Sequence, residues 1–127
     1  MLVRILIADD HEIVRKGVAT VLSVRRDLEI CGEAADGEEA VRKAEELRPD
    51  LVILDLTMPG LNGISAAEKI KKILPGVPIL ILSMHEGASL LETFRRMGVQ
   101  GYVPKTQASE KLLDAVDALA NGNTYFS

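Results

Sequence analysis

Several polar residues in this 127-residue chain stand at the ends of apolar runs. Asp9 and Asp10 follow "VRILIA", Asp55 follows "LVIL", Ser83 closes "PILILS" and Lys105 follows "GYVP". Two adjacent carboxylates at the end of a hydrophobic strand repel each other and resist desolvation, so either water or a positive charge must meet them. Taken singly, each residue has an ordinary reading. Asp9, Asp10 and Ser83 could cap helices, Asp55 could mark where a strand meets water, and Lys105 could be a surface lysine. Taken together, three carboxylates, a hydroxyl and an ammonium describe a site. Three carboxylates a few ångströms apart raise one another's pKa, and a divalent cation relieves that. Carboxylate and carbonyl oxygens suit Mg2+, which prefers one or two carboxylates plus phosphate and water. Calcium would need more protein ligands. Zinc is disfavoured because His11 and His85 make no His/Cys cluster. A metal beside carboxylates, with Lys and Ser close by, points to phosphoryl transfer in which one carboxylate is the nucleophile.

Such residues need a frame that brings them together. Val3 to Ala8 reads as a buried strand. Ile13, Val14, Gly17, Val18, Val21 and Leu22 recur at helical spacing. "LEICGEA" alternates with period two, as an edge strand with one wet face does. "DGEEAVRKAEELRPD" reads as a helix that starts after Asp36-Gly37 and stops before Pro49. "LVILD" reads as a central strand and "TMPGLNG" as a loop. Ile64, Ala67, Ile70, Ile73 and Leu74 mark a third helix. "PILILS" is another buried strand. Leu90, Leu91, Phe94 and Met97 line a fourth helix. "GYVPK" is a short strand whose Pro104 argues for an edge. Leu112, Leu113, Val116, Leu119 and Ala120 mark a fifth helix. The expectation is an α/β, (βα)5 doubly wound parallel sheet of flavodoxin-like type, strand order 2-1-3-4-5. Ligands of such sheets bind at the carboxyl ends of the strands, where the strand order reverses. All of the singled-out polar residues fall on that rim.

Composition narrows the class. Hydrophobic residues make up 47% and charged residues 27%, which fits a globular domain with a sizeable core. With no Trp and four Tyr or Phe, that core must be aliphatic. A net charge of −4 argues against phosphate-backbone binding by these residues. No apolar run approaches the roughly 20 residues of a membrane span, and the opening residues carry no signal-peptide pattern. A lone cysteine, Cys31, fits a reducing cytosol and reads as a small buried hydrophobe. The expected location is cytoplasmic, and one domain over residues 1–127 is expected.

The segments "ILIADDH", "AADGEEAV", "PDLVILDLTMPGLNG", "PILILSM" and "GYVPK" together resemble the receiver domain of bacterial two-component response regulators, with its CheY-like fold. "DLTMPGLNG", "GYVPK" and "ANGNTYFS" resemble the NarL/FixJ subfamily. The resemblance implies that Asp55 accepts a phosphoryl group from a partner histidine kinase, with Mg2+ as cofactor. It implies that Asp10 ligates Mg2+ directly, Asp9 mostly through water, and the backbone carbonyl of Thr57 as well. Ser83 takes the place of the switch hydroxyl, Lys105 that of the lysine pairing with the phosphoryl group, and Tyr102 that of the switch aromatic. The chain departs from the family in two places. Lys105 is followed by Thr106 rather than Pro, and Thr57 stands where the subfamily often has Met. From the second departure, Thr57 and His85 are expected to tune the lifetime of the acyl phosphate.

The implied function is a phosphorylation-dependent switch that catalyses only its own phosphorylation and dephosphorylation and is not otherwise an enzyme. Its output face is expected on the fourth helix, fifth strand and fifth helix, controlling a homodimer or a DNA-binding domain of a transcription regulator. In the subfamily a helix-turn-helix output domain follows an end like "NGNTYFS", and it is expected to be absent from this chain. A stand-alone receiver or phosphorelay module is the alternative. An aspartyl-phosphate hydrolase is a more distant one, because Thr57 replaces the second carboxylate of an Asp-x-Asp pair.

Overall fold

The computed structural model describes residues 2–84 and 88–127. In chain order its elements are β1 (Val3–Ala8), α1 (Glu12–Leu22), β2 (Leu28–Ala34), α2 (Gly37–Leu47), β3 (Leu51–Leu54) and α3 (Gly63–Ile73). There follow β4 (Ile79–Ser83), α4 (Ala88–Met97), β5 (Gly101–Pro104), a 3-10 turn at Lys105–Gln107, α5 (Ala108–Ala120) and β6 (Tyr125–Phe126). The strands form one sheet in the order β2-β1-β3-β4-β5-β6, and every pairing is parallel. Parallel neighbours need a crossover between them, and helices supply the crossovers among β1 to β5.

Strand alternation sorts the core onto two faces of the sheet. Leu6, Ala8, Val52, Leu54, Ile79 and Ile81 point to one face and pack with Ala40, Ala44, Ala67, Ile70 and Phe94 of α2, α3 and α4. Ile5, Ile7, Leu51, Ile53, Leu80 and Leu82 point to the other and meet Val18, Leu22, Leu112 and Val116 of α1 and α5. Because β1, β3 and β4 are covered on both faces, they read in sequence as apolar runs, interrupted only by Arg4 near the start of β1 and closed by Ser83 in β4. Among the described residues, no helix is long and apolar enough to cross a membrane.

The order of the first five strands is the expected one, but β5 is not the edge. Tyr125 and Phe126 pair outside it, with the Tyr125 N–H donating to Gln100 O at 3.0 Å and the Ser127 N–H to Tyr102 O at 2.9 Å. Two residues are too few for a period-two pattern, so β6 leaves no trace in the sequence. Pro104 does not obstruct it, because β6 pairs only with Gly101 and Tyr102. Ile13 also departs from expectation. Its spacing assigns it to the apolar face of α1, yet it is 85% exposed. Cys31 lies at an irregularity in the β1–β2 register and is only partly buried. That burial still pushes its thiol pKa up, which disfavours the reactive thiolate.

Candidate functional site

Parallel strands deliver their carboxyl ends to one rim, and main-chain pairing runs one residue beyond the strands themselves. The Asp9 N–H donates to Ala34 O at 2.9 Å, and the Asp55 N–H donates to Ala8 O at 2.9 Å. Both aspartates are thereby fixed in the main chain before any side-chain contact is made. Their side chains are buried, as is Ser83. The loop after β3 folds back tightly: the Gly63 N–H donates to Leu56 O at 2.9 Å. The Asn62 side chain caps α3 by accepting from the Ser65 N–H at 2.9 Å.

Lys105 draws the rim together. Its Nζ lies 2.7 Å from Asp9 Oδ2 and 3.4 Å from Asp55 Oδ2, with the lysine side chain itself largely buried. One ammonium thus serves two carboxylates. The other oxygen of Asp9, Oδ1, accepts the His11 N–H at 2.8 Å. The Asp9 main-chain carbonyl accepts from Arg15 Nη1 at 2.6 Å, and Arg15 Nε donates to Glu33 Oε1 at 2.9 Å. Asp10 turns outward, and His11 Nδ1 stands 3.0 Å from its Oδ1.

Charge at this site is unbalanced. The Asp55 carboxyl is pushed above the usual carboxylate range, first by burial and then by the charge of Asp9. Lys105 and a hydrogen bond from the Thr57 main chain pull the other way and do not compensate. The ionised pocket therefore lacks positive charge.

The remaining expected residues fall as follows. Ser83 ends β4 in register with Pro104, so it stands beside the start of the lysine turn. Tyr102 faces inward, its ring centroid 5.5 Å from that of Phe94 in α4. Thr57 is exposed, and its main chain touches the Asp55 carboxylate. His85 lies outside the described residues. Lys105 opens the 3-10 turn and is not the last residue of β5. Sequence reasoning overlooked Arg15 at the rim, and it weighed His11 only for zinc and set it aside. The signal available was their place one and five residues after the acidic pair, His11 just before α1 and Arg15 on its first turn.

The donor set suits a hard cation. Oxygen donors converge where buried negative charge exceeds the single ammonium, and Asp10 keeps a carboxylate open to solvent. Ligand atoms of Asp9, Asp10 and His11 all lie within 4.8 Å of one another.

The chain is similar in sequence and fold to proteins of one family. Residues 5–117 match the family model of the response regulator receiver domain. Response regulator protein VraR of Staphylococcus aureus is 39% identical over 128 residues, spanning 99% of this chain and 60% of the relative. The chain thus spans about three fifths of the length of that relative. A LuxR-family two-component response regulator from Aurantimonas sp. SI85-9A1 superposes with a TM-score of 0.93 at 36% identity, covering 98% of this chain and 89% of that one. The isolated REC domain of RcsB from Salmonella enterica serovar Typhimurium, solved in the presence of the phosphomimetic BeF3−, gives 0.92 at 28% identity. That match covers 100% of this chain and 94% of the other.

Proposed function

The chain belongs to the response regulator receiver family, in its NarL-like branch, and from that premise we propose that it is a switch operated by phosphorylation of Asp55. The observation that carries this reading is the Lys105 ammonium shared between Asp9 and Asp55 at the carboxyl rim of the sheet. The phosphoryl donor is a phosphohistidine on a partner kinase, or a small acyl phosphate. An Asp55 carboxylate oxygen attacks phosphorus, the P–N bond of phosphohistidine breaks, and the departing imidazole takes up a proton.

Catalysis of that transfer is positioning and electrostatics. Burial and the neighbouring Asp9 raise the basicity of Asp55, so its ionised form is a stronger nucleophile with few waters to shed. Lys105 is within reach of both the nucleophile and the incoming phosphoryl oxygens. Ser83, beside it in the β4–β5 register, supplies a hydroxyl for another of those oxygens. Asp10, Asp9 and Asp55, with the Thr57 main-chain carbonyl, would hold Mg2+. When bound, that ion supplies the positive charge that the carboxylates lack and neutralises phosphoryl oxygens. Asp10 is the better direct ligand, because one oxygen of Asp9 is already committed to Lys105.

Output runs from Ser83 and Tyr102 to the face made by α4, β5 and α5. Tyr102 packs on Phe94 of α4, and its carbonyl accepts the Ser127 N–H beyond β6. A change at Tyr102 is thereby felt by both α4 and the last strand. In a longer protein that face would control dimerisation or a DNA-binding domain. Thr57 and His85 set how fast water attacks the acyl phosphate.

The test is incubation with acetyl phosphate and Mg2+, read by intact mass. One phosphoryl group should appear on the wild type and none on Asp55→Ala. No gain on the wild type, or an equal gain on the variant, would overturn the assignment.

A further inference from the structure

We propose that His11 is itself a ligand of this cation site, its imidazole Nδ1 joining Asp9 and Asp10 so that the site favours first-row transition ions such as Ni2+ over Mg2+. The inference rests on reading the rim as a cation-assisted phosphoacceptor.

The distances carry it. In an octahedral shell with bonds of about 2.1 Å, neighbouring donors stand about 3.0 Å apart. His11 Nδ1 lies 3.0 Å from Asp10 Oδ1 and 3.3 Å from Asp9 Oδ1, so it stands to each carboxylate oxygen about as one donor stands to its neighbour in such a shell, and ligand atoms of all three residues lie within 4.8 Å of one another. Each carboxylate has the required oxygen to give. Lys105 occupies Oδ2 of Asp9, leaving Oδ1 turned toward His11. That oxygen accepts the His11 main-chain N–H and keeps a second lone pair. Asp10 is partly open to solvent, and the His11 ring is exposed. An entering ion therefore has a path, and no core packing resists a small adjustment of the ring.

The chemistry then decides which ions benefit. Mg2+ is a hard ion that prefers oxygen and gives up water reluctantly, so an imidazole adds little to its binding. Imidazole suits the later first-row ions, whose affinity for nitrogen-containing sites rises from Mn2+ toward Cu2+. Neutral imidazole can bind through Nδ1 as well as Nε2. His11 would thus act on metal choice and leave Mg2+ binding nearly untouched.

Titration calorimetry with Mg2+ and with Ni2+ on the full chain, its His11→Ala variant and its His11→Asn variant tests this. Asn keeps a side chain able to hydrogen-bond with Asp10 but removes the nitrogen ligand. The wild type should bind Ni2+ more tightly than Mg2+, and excess Mg2+ should displace the Ni2+. Both variants should lose Ni2+ affinity by about 10- to 100-fold, at least the loss seen when an outer-shell partner is removed. Their Mg2+ affinity should change by less than about threefold. A Co2+-loaded wild type should also show a visible absorption band that shifts in both variants. Ni2+ affinity unchanged in the variants, Ni2+ that Mg2+ cannot displace, or equal losses for both ions would overturn the proposal. Equal losses would mean that His11 only orients the carboxylates. A wild type that binds neither ion would overturn the parent reading as well. One that binds Mg2+ and transfers the phosphoryl group to Asp55, yet shows no dependence on His11 for Ni2+, would overturn this inference alone.

Discussion

Replacing Gly63 by Ala should damage both stability and phosphorylation. A methyl group at this position would lie 2.1 Å from the Asp55 carbonyl oxygen, 2.6 Å from Leu56 Cα and 2.9 Å from the Asp55 carbonyl carbon. Non-bonded heavy atoms settle at roughly 3.5 Å, so the start of α3 or the end of β3 must move by about 1 Å. All three atoms are main chain, so no rotamer change relieves the clash. The Gly63 N–H bond to Leu56 O ties the same two segments and resists their separation. Overpacking of this kind costs about 1–3 kcal/mol, and with rigid partners the upper end is expected. For a chain of this length that is a fall in Tm on the order of 5–15 °C. The displaced segment carries the phosphoacceptor, and a misplacement of about 1 Å at a reacting group can cost about 100-fold in rate. Urea unfolding and the time course of the mass gain with acetyl phosphate read the two effects separately. Gly17→Ala is the control. A methyl there meets nothing within 4 Å, and in a helix interior it should stabilise by about 1 kcal/mol. If Gly63→Ala unfolds and reacts like the wild type, the argument that close main-chain approach fixes Asp55 is wrong.

Two other expectations follow from local chemistry. The Asp55 pKa is raised by burial and by Asp9, so ionising Asp55 costs more in the folded state than in the unfolded one. That penalty is absent below the ordinary value of 3.8, grows as pH rises toward the raised value, and is complete above it. Asp55→Asn should therefore be more stable than the wild type at pH 7 without divalent cations, the gap narrowing as pH falls toward 3.8 in a series of urea titrations. At the start of α2, the Asp36 carboxylate accepts the Glu39 N–H at 2.8 Å while Glu39 Oε1 accepts the Ala35 N–H at 2.7 Å. Asp36→Ala breaks this reciprocal pair and should cost about 1 kcal/mol by thermal unfolding, with phosphorylation little changed.

The fold was legible because its elements are set by short-range patterns. Apolar runs of four to six residues at β1, β3 and β4 are short enough to read as strands covered on both faces, and helical spacing between them required parallel crossovers. The meeting of Asp9, Asp55 and Lys105 then followed, since every parallel strand ends at the same rim. Ile13 escaped because spacing gives a helix face and not how far a neighbouring layer extends over it. β6 escaped because Tyr125 and Phe126 gain strand geometry only from pairing with Gly101 and Tyr102.

By itself the sequence determined which residues could do chemistry and on which edge of the sheet they stand. The tertiary structure decided how their surroundings differ. As adjacent carboxylates Asp9 and Asp10 have equal standing by residue type and spacing, and only the family resemblance implied different roles for them. In the fold one is buried against Lys105 while the other faces solvent beside His11. The difference arises because successive residues leaving a strand point to opposite sides, and only one of those sides meets the lysine delivered by the turn after β5.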